Sequence, residues 1–530
     1  MRRFATTFAC WWLLFATFGA LWLLATPIGA SPDAPAQVAR AVSVARGQWL
    51  GPAVAGKNSA ITTYVTVPAT YVLPESTAHC YMFREHVTAA CAPPLRESPK
   101  LEVTTTHVGR YPPAYYFIAG LPSLLTDRVA GIYLMEAASV LLCAAMLALA
   151  ASCARLWSSS RLLLVGTGLA ATPMALFLSS QVNPSGLEIA AAIAVWASAS
   201  VLVAEHLTCP PKGLVAVLAA SAAVLVWARP TALLWPLLVV AVLAPAAWRQ
   251  LRRPVLLRRD VVAGSCLVSV AALGALGWVV LAHGAAVVAN FGPLPASSSF
   301  WHTVSFVVGR LPSLAQQAVG NFGWLDTPLP WPAVAGWLCA AALTTAAGAW
   351  SGGRKALVPV ALSLLASLLL PVVLLVAAAH SYGYVGQGRY FLAIWAGTPI
   401  AAAGLGIPPA RRSQAARAAR AVVRATVPIS GTVVAGLQAF SYYWALRRYI
   451  VGIPGPLSWS GSAGARTSDG QLEWHPPLPG WWLVAIFVLV CLVYAVAMVR
   501  APAGAHTSAS RHSGAYARPG DAAAHRMARV

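Results

Sequence analysis

The residues best suited to chemistry are a few acids, arginines and tyrosines set at the edges of apolar runs. Asp33 stands in Ser31-Pro32-Asp33-Ala34-Pro35-Ala36-Gln37-Val38-Ala39-Arg40, just after the first such run. A carboxylate held where a membrane-bound substrate meets water can take a proton from an acceptor hydroxyl as a general base. Asp shortly before a Pro is equally a cap for the free N–H groups of a new helix, and the two roles can coexist. The segment reads as a helix near the outer surface. On it, Gln37, Arg40 and Gln48 are neighbours able to hydrogen-bond a sugar or a phosphate, or to form a solvated face.

His107-Val108-Gly109-Arg110-Tyr111-Pro112-Pro113-Ala114-Tyr115-Tyr116 lies shortly before the second apolar run. Arg110 can clamp a phosphate with its planar fork of donors, and Tyr115 and Tyr116 suit a platform for sugar or lipid; an aromatic belt at the membrane interface gives the same pattern. Glu136 falls about 10 Å inside that run at roughly 1.5 Å per residue. An acid at such depth is a functional candidate, with pairing to Arg128 as the structural alternative. Asn183 and Glu188 stand at the mouth of a later run, as interface residues or as part of a polar pocket. Gln387-Gly388-Arg389-Tyr390 opens directly into another. Arg389 is the best-placed phosphate contact, unless it only snorkels to the water boundary. Arg447 and Arg448 can meet lipid headgroups.

The elements that position these residues follow from composition. Of 530 residues 58% are hydrophobic and 9% charged, against roughly 25% charged in soluble domains, which excludes a soluble globular protein. Twelve stretches approach the roughly 20 apolar residues of a bilayer span: 8–27, 129–151, 162–180, 187–205, 213–228, 231–247, 261–286, 332–350, 356–379, 390–407, 426–446 and 481–499. The fold class is therefore all-α integral membrane. The first stretch follows Arg2 and Arg3 like a signal peptide but is long for one, so a retained span is the favoured reading. Basic residues concentrate in the short segments that become cytoplasmic if the chain starts inside, which puts both termini in the cytoplasm.

The net charge of +22 is then accounted for by topology and contact with membrane lipids, and no nucleic-acid role is proposed. Abundant Ala, Arg and Pro suggest a GC-rich bacterial genome. Long segments at 28–128, 287–331 and 447–480 fall outside, where function is expected, and residues 500–530 read as a disordered basic tail. Cys80 and Cys91 lie in the first outer loop, where an oxidising exterior permits a disulfide; free thiols and a metal role beside His79 and His86 are the alternatives.

Taken in order, Pro32-Asp33, Val44-Ala45-Arg46-Gly47-Gln48, Tyr111-Pro112-Pro113-Ala114-Tyr115-Tyr116, Thr172-Pro173-Met174 with Ser179-Ser180-Gln181-Val182-Asn183-Pro184, and Gln387-Gly388-Arg389-Tyr390 resemble the bacterial multispanning family known as domain of unknown function 2142. The resemblance runs from about residue 20 to 405 and implies kinship with GT-C class polyprenyl-phosphate-sugar glycosyltransferases. It divides the chain into a GT-C-like membrane domain over 1–407, further membrane helices over 408–499, and the tail. In that class an acid of the first outer loop is the catalytic base, and Asp33 matches it. Ala34 stands where the family pattern has Glu, Gln37 where it has His, and Glu136 where Arg is expected.

The expectation is a plasma-membrane enzyme moving a sugar from a polyprenyl-phosphate donor to an envelope glycan acceptor, without a metal or other cofactor. Asp33 serves as base, with Gln37, Arg110, Tyr115, Tyr116, Glu136, Asn183, Glu188, Gln387, Arg389 and Tyr390 about the substrate. A transporter or flippase of a lipid-linked glycan, or a non-catalytic assembly protein, are the alternatives.

Overall fold

A computed structural model describes residues 2–55, 61–73, 76–248, 253–283, 299–407, 413–453, 455–462 and 464–500. The expected tail after Arg500, and Arg249, Arg252, Arg411 and Arg412, lie outside the described residues. The protein is an all-α membrane protein: among the described residues nine helices are long and apolar enough to cross a bilayer.

In chain order, α1 (Arg2–Ala25) leads to α2 (Ala34–Ala45), a sheet of β1 (Ala53–Ala55), β2 (Ile61–Pro68) and β3 (Leu101–Thr106), and the short α3 (Pro113–Gly120). Next come α4 (Ala130–Trp157), α5 (Leu163–Ala170), α6 (Pro173–Ser179), α7 (Pro184–Val201), α8 (Lys212–Ala228), α9 (Leu234–Ala247) and α10 (Arg259–Leu281). The chain continues through α11 (Leu311–Gly320), α12 (Trp331–Gly352), α13 (Arg354–Tyr382), α14 (Gly397–Leu405), α15 (Gln414–Val451) and α16 (Gly480–Arg500). α7 is buried along its whole length and packs on α4, α8 and α14. α10 packs mainly on α8 and leaves most of its surface exposed, as suits a helix facing lipid.

Two of the twelve expected spans are not single helices. Stretch 162–180 breaks at Ala171 and Thr172. Pro173 opens α6, where its missing N–H costs nothing, and Thr172 Oγ1 caps the new helix through the Ala175 N–H at 3.2 Å. Stretch 390–407 is divided into a 3-10 turn at Gly388–Phe391, a helical turn at Leu392–Trp395 and α14. There Gly397 sits so close to Trp196 that a Cβ would come within 2.5 Å of its ring.

The three long segments expected outside meet at one end of the bundle. Near the end of α15, Arg448 donates to the carbonyls of Val87, Tyr81 and Arg84 at 2.7, 2.8 and 3.1 Å, so it clamps the first loop rather than reaching for headgroups. Trp324 Nε1 donates to the Gly29 carbonyl at 2.9 Å, and Thr88 Oγ1 to that of Leu472 at 2.7 Å. A disulfide joins Cys80 to Cys91, with Cα atoms 6.0 Å apart.

β2 pairs antiparallel with both β1 and β3. Thr106 Oγ1 at the end of β3 donates to the Ala36 carbonyl at 2.8 Å, tying the sheet to α2. Gly120 admits α3 on the other side, since a Cβ there would lie 2.0 Å from the Ala41 carbonyl oxygen. α2 is therefore not a helix with a solvated face. Gln37 and Arg40 are buried within it, and Gln48 is bonded to both the N–H and the carbonyl of Thr66, at 2.8 and 2.6 Å.

Candidate functional site

Asp33 precedes α2 with φ 64° and ψ 13°, a left-handed geometry that is rare outside glycine but tolerated by Asp. Its side chain makes no cap hydrogen bond to α2. Instead Arg389 Nη2 donates to Asp33 Oδ2 at 2.6 Å, and His107 Nε2 lies 3.6 Å from Oδ1. The capping role expected as an alternative is absent, and the carboxylate is committed to charge. Burial by itself would raise its pKa. The attraction of Arg389, followed by that of His107, outweighs burial and holds the carboxyl well below the usual carboxylate range. Asn183 steadies the turn from beside it: Nδ2 donates to the Pro32 carbonyl at 3.3 Å, while Oδ1 caps α7 through the Ser185 N–H at 3.0 Å.

Arg389 is brought to Asp33 by the broken segment ahead of α14. Gly388 lies flush against α11, where a Cβ would come within 2.1 Å of the Leu314 carbonyl oxygen. Its N–H is held by Gln317 Oε1 at 2.9 Å. Only 2% of the Arg389 side chain is exposed, so it does not snorkel to water. Its Nε and Nη1, like Gln387 Oε1, are buried with no hydrogen-bond partner among the described residues. The Arg389 guanidinium carbon is 5.2 Å from the centroid of the Tyr390 ring.

A second arginine, not singled out by the sequence reading, shares that ring. Arg229 lies 4.7 Å from the Tyr390 centroid and 5.9 Å from that of Tyr111. It pairs with Glu188 at 3.1 Å, and the same carboxylate accepts Trp235 Nε1 at 2.7 Å. Glu188 is thus the buried counter-charge of Arg229. The available signal was Arg229 itself, a cation before Pro230 in a short connection on the side where basic residues are scarce. His107 was visible only as part of its motif, without a partner to give it a role.

The remaining expected residues surround this centre unevenly. Arg110 Nη1 donates to the Ala282 carbonyl at 3.1 Å, and its Nε is buried without a partner among the described residues. Arg40, fully buried, donates to the carbonyls of Trp49 and Tyr111 at 3.0 and 3.1 Å. Tyr115 and Tyr116 offer no open ring face, which corrects their reading as a platform. Both are buried, with the Tyr115 hydroxyl 2.9 Å from Ser139 Oγ and that of Tyr116 donating to Gln37 Oε1 at 2.6 Å. They and Gln37 shape the pocket from behind. Glu136 is buried on α4, and no ion pair between it and Arg128 is found among the described residues.

An apolar cavity of about 820 Å³ opens between α11, α12, α13 and α14, bounded by Leu311, Ala315, Leu338, Leu364, Trp395 and Pro399 among others. Its lining includes Leu392, three residues beyond Arg389 on the same broken segment.

Fold and site together define a multispanning helical membrane protein with a cluster of charged, mostly buried side chains at one end of its bundle. The chain belongs to the family of predicted membrane proteins DUF2142, whose family model matches residues 15–398. No curated protein matches it.

Proposed function

We propose that this protein is a bacterial plasma-membrane glycosyltransferase that moves a sugar from a polyprenyl-phosphate donor to a cell-envelope acceptor on the outer face, with both termini cytoplasmic. The observation that carries this reading is the Asp33–Arg389 pair: a half-buried carboxylate and a buried guanidinium with two donor nitrogens unpartnered among the described residues, near an apolar cavity suited to a lipid chain.

In the resting site Arg389 occupies the carboxylate, and a base so engaged is weak. A donor phosphate bound at the free Arg389 donors competes for the guanidinium and releases Asp33. The bond between the sugar C1 and the phosphate oxygen then breaks, its electron pair passing to that oxygen. The acceptor hydroxyl oxygen bonds to C1, and its proton passes to Asp33. His107, on the other carboxylate oxygen, is placed to relay that proton to water. Arginines fixed beside the leaving phosphate act where charge develops, the arrangement that accelerates such steps most.

The test is complementation of a deletion strain, comparing envelope glycans after restoration with the natural protein and with Asp33→Asn at equal expression. The expected result is a sugar modification lost on deletion, restored by the natural protein and not by Asp33→Asn. Full restoration by Asp33→Asn overturns the assignment of the base and favours transport of a lipid-linked glycan.

A further inference from the structure

The cluster of side chains around Asp33 holds more positive charge than its carboxylates balance. Arg389 faces Asp33 and Arg229 faces Glu188, which makes two neutral pairs. Among the described residues Arg40 and Arg110 pair with no carboxylate: each is held by backbone carbonyls. These four arginines belong to one cluster, since Arg40 holds the carbonyl of Tyr111, the Tyr111 ring lies against Arg229, and Tyr111 follows Arg110 in the chain. Glu136, beyond Tyr115, pairs with none of them. Arg40 is fully buried and Arg110 partly so, and unbalanced cations withdrawn from water are costly. Here they accompany buried guanidinium donors, on Arg389 and Arg110, that lack partners among the described residues.

We infer that this arginine cluster is built for a phosphate group carrying two negative charges on an apolar chain, and so prefers a phosphate monoester to a phosphodiester. The inference rests on the donor reading of the site and deepens it. A sugar linked through one phosphate to a lipid is a phosphodiester with a single negative charge. When the bond from C1 to the phosphate oxygen breaks, the electron pair stays on the phosphate, and the departing lipid phosphate is a monoester with close to two charges at neutral pH. The two surplus arginines thus match the state towards which the reaction moves, and selective stabilisation of that state is what lowers a barrier.

The experiment uses the full-length protein in neutral detergent at pH about 8, where a monoester is a dianion, and about 0.3 M salt, which screens surface charges. Affinities for dodecyl phosphate and methyl dodecyl phosphate are measured by titration calorimetry. Dodecyl phosphate is expected to bind about tenfold more tightly or better, roughly 1.4 kcal/mol. Arg110→Gln, which removes one surplus charge, should shrink the ratio to about threefold. Arg46→Gln, outside the cluster and bonded to Ser123, should leave it unchanged. Equal affinities in the natural protein, or a ratio indifferent to Arg110→Gln, overturn the inference while leaving the transfer reading in place. Failure of both ligands to bind overturns both readings, and binding of methyl dodecyl phosphate alone overturns the inference. If Arg110→Gln does not fold, the natural protein's ratio still decides.

Discussion

Asp33 and Arg389 are separated by 356 residues yet share a hydrogen bond of 2.6 Å. Because the Asp33 carboxyl is held lower in the folded chain than in the unfolded one, its pairing contributes stability in full above about pH 4, the ordinary carboxyl range, and loses it as pH falls toward the folded value. Asp33 therefore stays ionised throughout the neutral range. A pH profile of transfer should show no loss of activity from its protonation between about pH 5 and 8, and a drop centred there that Asp33→Glu displaces would contradict this. Glu188→Gln strands the buried Arg229 and should cost about 3–5 kcal/mol, read as a lowered melting temperature in detergent; the double change Glu188→Gln with Arg229→Gln should recover part of it. Asp33, Glu188 and Arg389 were legible in the sequence as charges at the ends of apolar runs. Their partners were not, because only the fold decides which charge meets which. Glu188 thus read as an interface residue or part of a polar pocket with its partner Arg229 unseen, and Tyr115 and Tyr116 read as a platform or an aromatic belt because an aromatic motif near a span looks the same whether it faces water or packs into a core.

Broken helices, more than whole ones, place the functional groups. The segment from Gly388 to Trp395 carries Arg389 only because Gly388 lies against α11. Gly388→Ala pushes a methyl group into the Leu314 carbonyl oxygen and should displace the turn. Complementation should fall at least about tenfold, as misplacement by an ångström does in active sites, while the protein still inserts in the membrane. Thr172→Ala, which removes the cap of α6, should cost about 1 kcal/mol and shift thermal unfolding only slightly. Apolar runs such as 129–151 and 332–350 were readable because a helix that crosses a bilayer needs continuous apolar residues. The breaks at Pro173 and Gly397 were hidden by the same property: hydropathy is indifferent to whether a run is one helix or two. Thr172-Pro173 and Asn183-Pro184 served as motif residues in the sequence, and both act as helix starts.

At the scale of the molecule, three segments far apart in the chain close over one end of the bundle, bound by Arg448, Trp324 and Thr88. That end should face outwards. With the seven free cysteines replaced, Ser462→Cys at the capped end should react with a membrane-impermeant maleimide on intact cells. Ala415→Cys, at the start of the 38-residue α15, should react only after permeabilisation; the reverse pattern inverts the topology and removes the envelope from the account. The most direct measurement of the central claim is transfer itself. Membranes containing the natural protein or Asp33→Asn are incubated with polyprenyl-phosphate-linked sugars labelled in the sugar and extracted from the source cells. With the natural protein alone, label is expected to leave the lipid fraction and free polyprenyl phosphate to accumulate; label retained on lipid to the same extent in both would rule out transfer by Asp33.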